Sequence, residues 1–95
     1  MIERHITFTV HPGRTAAFER FIADEYAPAM AQSPGFVRVE LLREADSDTR
    51  FQLSFRFMDG ESAAGWRTSA VHMSLQPALK ELHSGMEIQG YEVVG

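Results

Sequence analysis

An α+β fold, with a four-stranded antiparallel sheet and helices on one side of it, is predicted by three features of this 95-residue chain. The run from Ser33 to Met58 reads as two alternating strands joined by one acidic turn. One helical stretch precedes this hairpin and another follows it. A lone strand lies toward each end of the sequence. The order strand–helix–strand–strand–helix–strand is the split βαβ, ferredoxin-like arrangement. With 44% apolar residues, positions 1–95 are expected to form one domain with a thin core.

Each element carries its own signal. From Glu3 to His11 the chain alternates, with Ile6, Phe8 and Val10 on one face and His5, Thr7, Thr9 and His11 on the other. That is the pattern of a half-buried strand, and His11-Pro12-Gly13 ends it. Arg14 to Gln32 is helical, because Phe18, Phe21, Ile22, Tyr26, Ala29 and Met30 recur at three- and four-residue spacing. Thr15 is the expected N-cap. Pro28 removes a backbone donor inside the pattern and predicts a kink or a frayed last turn. Ser33-Pro34-Gly35 is the stop.

Phe36 to Glu44 and Arg50 to Met58 pair as the hairpin. Val37, Val39 and Leu41 line one face of the first strand, and Phe51, Leu53, Phe55 and Phe57 one face of the second. A loop near Asp46-Ser47-Asp48 sets Val39 opposite Phe55 and Glu40 opposite Ser54, so the two apolar sets share a face. Asp59 is placed to cap the next helical region. Ala63, Ala64, Trp66 and Ala70 form one short stretch; Val71, Leu75, Ala78, Leu79 and Leu82 form a second, with a break near Thr68-Ser69. Pro77 fits best in the first turn of a helix starting near Ser74, which leaves His72 at or beside a helix–helix junction. Ser84-Gly85 ends the helix, and Met86 to Val94 is the last strand.

Composition excludes several functions. The net charge is −4, and the cations are eight Arg and a single Lys with no basic stripe. Binding to nucleic acid by phosphate neutralisation is therefore not expected. The absence of Cys removes disulfides, thiolate nucleophiles and Cys-ligated zinc. MIERHITFTV opens a strand rather than a signal sequence, and no apolar run approaches the roughly 18 residues of a spanning helix. A cytoplasmic protein with no membrane partner is expected. Two helices leave one sheet face uncovered, bearing Thr7, Thr9, Arg38, Glu40, Gln52, Ser54, Arg56 and Gln89. That face is either solvated or meets a second copy in a C2 homodimer.

The chemistry-bearing residues are few. His5 and His11 lie roughly 20 Å apart along a strand, and His72 and His83 roughly 16 Å apart along a continuous helix. No His pair has the i, i+4 spacing of a zinc site, so no metal is expected. There is no glycine-rich phosphate loop and no G-x-S-x-G. Ser62, Ser69, Ser74 and Ser84 read as helix-end residues. Trp66, the sole Trp, either packs between helix and sheet or walls a pocket for a flat aromatic ligand. His72 either caps a carbonyl or faces water, or it takes a proton near neutral pH. Arg38, Arg56, Tyr26 and Tyr91 are lesser candidates for orienting a phenolate or carboxylate, and Arg38 and Arg56 are also expected cross-strand partners of Glu40.

Six short segments carry a family resemblance: Pro34-Gly35-Phe36-Val37, Glu40-Leu41-Leu42-Arg43, Thr49-Arg50-Phe51, Glu61-Ser62-Ala63-Ala64, Ser69-Ala70-Val71-His72 and Tyr91-Glu92-Val93-Val94. In their order and spacing the chain resembles the antibiotic biosynthesis monooxygenase family of dimeric α/β barrels. The resemblance implies a ferredoxin-like protomer in a homodimeric α+β barrel, with a pocket between sheet and helices. It also implies a monooxygenase or quinol oxidase that acts on a small aromatic, phenolic substrate without metal, flavin or other cofactor. Trp66 and His72, singled out above, are the candidate catalytic residues, and the later His that many members keep is matched here by His72. Many members carry His at the position of Trp66 and Trp at that of Phe57. Haem-degrading relatives use an Asn on the first strand, a Trp on the second helix and a His about three turns later. Trp66 matches that Trp, but the chain has no Asn and carries Gln76 near the His position, so haem cleavage is not expected. The same fold also hosts non-catalytic small-ligand and stress-response barrels, and this is the alternative reading.

Overall fold

The sheet runs in the order β2-β3-β1-β4, and every neighbouring pair is antiparallel. A computed structural model describes residues 1–95. It contains β1 (Ile2–Val10), α1 (Thr15–Phe21), a π-helical turn (Ile22–Tyr26), α2 (Ala27–Ala31), β2 (Phe36–Arg43), β3 (Arg50–Phe57), α3 (Gly60–Arg67), α4 (Ala70–Leu82) and β4 (His83–Glu92). This is the ferredoxin-like order. All the helices lie on one face of the sheet. Ile6, Phe8 and Val10 of β1 and Phe51, Leu53, Phe55 and Phe57 of β3 are buried beneath Phe18, Phe21, Ile22, Tyr26, Met30, Trp66, Leu79 and Leu82. No helix is long and apolar enough to cross a membrane.

The hairpin has the expected register, with Val39 opposite Phe55 and Glu40 opposite Ser54. Its turn is tied by the Ser47 hydroxyl, which accepts from the Thr49 and Arg50 amides at 3.2 and 3.1 Å. One residue departs from the expected face. The β2–β3 register shifts between Phe36 and Arg38, so Phe36 pairs with Phe57 and packs on the core while Val37 turns out to solvent. A bulge of this kind moves one side chain to the opposite face without disturbing the strand beyond it.

The helices correct four further expectations. Thr15 is the first helical residue rather than the cap; Arg14 holds the cap position and no side chain bonds there. Pro28 does not fray the helix end. The helix runs on through Phe21, Ile22, Tyr26 and Ala27, all αR, and the π turn immediately before Pro28 takes up its missing donor. The α4 helix starts at Ala70, not Ser74, because the Ser69 side chain caps it by accepting from the His72 amide at 3.1 Å. Pro77 therefore sits mid-helix and leaves the carbonyl of Met73, an exposed residue, without its i+4 donor. Finally, β4 begins at His83 with no intervening Ser84-Gly85 loop. The His11 amide donates to the Leu82 carbonyl at 3.0 Å, and Val10 pairs with His83 across a register shift.

The uncovered face is a row of charge pairs. Glu3 accepts from Arg56 at 2.6 Å, contacts His5 at 2.7 Å and reaches Arg38 at 3.5 Å; Arg38 also holds Glu40 at 2.7 Å. Arg38 thus has the expected Glu40 partner, whereas Arg56 pairs with Glu3 across β1–β3 instead. The hydrogen bond to His5, then those from Arg56, holds the Glu3 carboxyl below its usual range.

Candidate functional site

Two helix caps meet at the break between α3 and α4 and bring the candidate residues together. Asp59 caps α3 by accepting from the Ser62 amide at 2.8 Å. At the other end of α3 the Thr68 hydroxyl donates to the Ala64 carbonyl at 2.9 Å, which closes the helix. The Ser69 hydroxyl then serves both sides of the break. It donates to the Trp66 carbonyl at 2.8 Å and accepts from the His72 amide at 3.1 Å. On one continuous helix, six residues would leave Trp66 and His72 about 120° apart. The break instead sets their rings edge to face, with centroids 5.0 Å apart.

Tyr26, delivered by the π turn, completes a cluster of three rings. Its centroid is 5.6 Å from Trp66 and 6.2 Å from His72. Tyr26 and Trp66 are each only 2% exposed. The cluster lines a pocket of about 230 Å³ between the α3–α4 junction and the sheet. Ile6, Phe8, Phe55 and Leu79 supply apolar wall, and Met86 and Ile88 of β4, both substantially exposed, border it on the side of the sheet edge. A pocket of this size falls just below the usual range of about 300–1,000 Å³, so its ligand is small.

The electrostatics give the three rings different roles. Burial pushes the Tyr26 phenol up to about 12, with Trp66 pulling slightly the other way, so it stays a neutral O–H at pH 7. Burial, the largest influence, also lowers the His72 imidazole; a hydrogen bond with the Arg67 backbone opposes it, and the nearby Arg67 charge adds a smaller lowering. His72 is therefore neutral at pH 7 and able to accept a proton. Its Nε2 lies 3.2 Å from Gln76 Nε2, and its Nδ1 is buried without a partner. With the Gln76 amide N–H donating to Nε2, the ring proton sits on Nδ1.

Both residues singled out from the sequence, Trp66 and His72, border this pocket, and Tyr26 joins them. Arg38, Arg56 and Tyr91 do not. The two arginines belong to the charge row on the uncovered face, and Tyr91 stacks on His5 there at 4.8 Å. Three polar lining residues escaped the sequence reading of the site: Arg4, Arg67 and Gln76. Gln76 stands at i+4 from His72 on α4, the spacing at which helix side chains meet. Arg4 interrupts the apolar row Ile2, Ile6, Phe8, Val10. No three or more His, Asp or Glu side chains converge on a possible metal position.

A ferredoxin-like sheet carrying an aromatic-lined pocket at a helix break defines the class. The chain belongs to the antibiotic biosynthesis monooxygenase family, whose sequence model matches residues 1–78. Among solved structures it is similar to SnoaB, a cofactor-independent oxygenase from Streptomyces nogalater, at 29% identity and a TM-score of 0.90, over 99% of this chain and 93% of that one. It shares the fold of PA3566 from Pseudomonas aeruginosa (16% identity, TM-score 0.83, 99% and 94% of the two chains). The same holds for a conserved protein from Methanosarcina mazei (16%, TM-score 0.85, 95% and 89%). No curated protein matches the chain.

Proposed function

We propose that this protein is a cytoplasmic, cofactor-independent monooxygenase that oxidises a small phenol to a quinone, with His72 as the base and Trp66 as the stacking wall. The observation that carries this reading is the pairing of a neutral, half-buried imidazole with a buried indole in one small apolar pocket. Membership of the family and the likeness to an oxygenase that needs no cofactor support it. The reaction balances without an external reductant: a phenol with a free ring position plus O₂ gives a quinone plus water. His72 takes the phenolic proton, and the resulting anion is electron-rich enough to reduce O₂. A ring carbon–oxygen bond forms, the O–O bond breaks, one oxygen stays as the new carbonyl and the other leaves as water. The Tyr26 hydroxyl, which keeps its proton, serves as a donor to the developing oxyanion. The dry walls disfavour side reactions of the anion.

Oxygen uptake with a panel of naphthols and hydroquinones tests the activity. His72→Ala should lower turnover by roughly a hundredfold, the scale of a lost acid–base group. Unchanged turnover would remove His72 from the mechanism. Ligand binding with no oxygen uptake across the panel would favour the non-catalytic ligand-binding reading. The protein is further read as a homodimer formed through the uncovered sheet face, with light scattering at about twice the chain mass of 10.7 kDa. A clean monomer would refute that.

A further inference from the structure

The pocket has a charge pattern that oxygenation of a plain phenol does not require. Arg4 lies on the core-facing side of β1, between Ile2 and Ile6 in the row that continues through Phe8 and Val10. A guanidinium in such a row normally has a carboxylate partner, because burying an unpaired charge is costly. Every other ion pair in the molecule lies on the uncovered face or at the β2–β3 turn, and neither Arg4 nor Arg67 takes part in one. Both arginines line the pocket, and none of its lining residues is acidic. The pocket therefore carries two unneutralised positive charges in a chain whose net charge is −4. Across the register, Arg4 faces Phe55 on one side and Gly90 on the other, and Glu92, diagonal to it on β4, forms no ion pair with it. Arg67 enters from the last turn of α3, immediately after Trp66.

We propose that Arg4 and Arg67 form an anion-recognition pair, and that the ligand of this pocket is an aromatic acid: a flat phenolic ring for Trp66 with a carboxylate set between the two guanidinium groups. This deepens the oxygenase reading and rests on it for the fate of the ligand, but not for its charge. Guanidinium–carboxylate hydrogen bonds are about twice as strong as neutral ones, and their planar fork selects a carboxylate over an uncharged group of the same shape. Apolar walls raise the value of the contact by excluding water. Arg67 is exposed and Arg4 half-buried, so Arg67 fits a role in capture from solvent and Arg4 one in fixing the carboxylate.

The test uses two probes of equal shape, 1-hydroxy-2-naphthoate and 1-hydroxy-2-naphthamide, titrated anaerobically at pH 7.5 by calorimetry. Quenching of Trp66 fluorescence, the only indole signal in the chain, locates the binding. The acid should bind at least about tenfold tighter than the amide, the scale expected for one charge-assisted hydrogen bond. Arg4→Gln and Arg67→Gln should each reduce that ratio severalfold, Arg4→Lys should restore part of it, and added salt should shrink it. If Arg4→Gln fails to fold, Arg67→Gln reads the same ratio from an exposed position. A ratio near one in the parent protein would overturn the proposal. So would a ratio untouched by the Arg→Gln variants, binding of neither probe, or acid binding without Trp66 quenching. The two readings fail separately. Arginine-dependent acid binding without oxygen uptake would leave the charge inference standing and remove the oxygenase. Turnover of neutral naphthols with no charge preference would do the reverse.

Discussion

Replacing Ser69 with Ala should loosen the joint on which the candidate site depends, and the cost can be worked from its two hydrogen bonds. The hydroxyl accepts from the His72 amide at 3.1 Å as the N-cap of α4, and it donates to the Trp66 carbonyl at 2.8 Å. Loss of an N-cap side chain costs about 1 kcal/mol. The Trp66 carbonyl also accepts from the Ser69 amide at 3.1 Å, so it is not orphaned. Its lost bond is then worth only the net value of about 0.5–1 kcal/mol. The total is about 1.5–2 kcal/mol. For 95 residues the unfolding entropy is about 0.2 kcal/mol/K, so Tm should fall by about 8–10 °C. Ser69→Asp keeps the cap acceptor and loses only the donor, for a fall of about 3–5 °C. Thermal unfolding followed by circular dichroism, at one fixed protein concentration, measures both. The near-ultraviolet signal of Trp66 should change in the Ala variant before unfolding begins. A Tm within about 2 °C of the parent for Ser69→Ala, or an Asp variant worse than the Ala one, would show that the cap does not hold the junction.

Gly35 has φ +81° and sits where an added Cβ would run into the Ser62 side chain, whereas Gly13 has the same φ with open space around it. Gly35→Ala should therefore cost more than about 2 kcal/mol in denaturant unfolding, and Gly13→Ala only the backbone strain of about 1 kcal/mol; equal costs would refute the contact. Burial lowers the pKa of both His72 and His83 from the usual 6.5. The unfolded chain therefore takes up protons near pH 6.5 while the folded chain does not. Stability should fall as pH drops below about 6.5 and level off once the folded imidazoles protonate, and His83→Gln should flatten part of that slope in denaturant midpoints between pH 7.5 and 5.5. Glu3, whose carboxyl is held below 4.5, acts in a separate, more acid window. Its contribution is present above the unfolded carboxylate pKa and lost as pH falls through the folded one.

The parts of the fold that were legible in the sequence are those where two patterns constrain each other. Val39 opposite Phe55 follows from requiring two alternating strands to put their apolar sets on one face. Val37 is misplaced by the same logic, because a bulge at Phe36–Arg38 is a local irregularity that alternation cannot reveal. The start of α4 was misplaced by giving weight to Pro77 over Ser69. A serine two residues before an apolar periodic run is a helix-start signal, and a proline at an exposed mid-helix position is tolerated. Trp66 and His72 could be picked out because their chemistry is rare in this chain. Arg4 could not be linked to them, since a strand residue and a helix residue 62 and 68 positions later meet only through the sheet order. The one trace it left was a charge in an apolar row.

The π turn at Ile22–Tyr26 works as a phase adjuster. Along a regular α-helix, the eight steps from Phe18 to Tyr26 would carry the side-chain direction about 80° past its start. The wider turn takes up roughly that excess and returns Tyr26 to the line of Phe18. Rewinding the turn into a regular α-helix of the same residue count would swing Tyr26 about 80° out of that line, whereas deleting one residue would leave seven steps and keep it within about 20° of it. The placement of the Tyr26 ring is thus set by the winding of one turn as much as by the identity of its residues. Rewinding that turn at constant length offers a route to moving one wall of the pocket without touching the sheet.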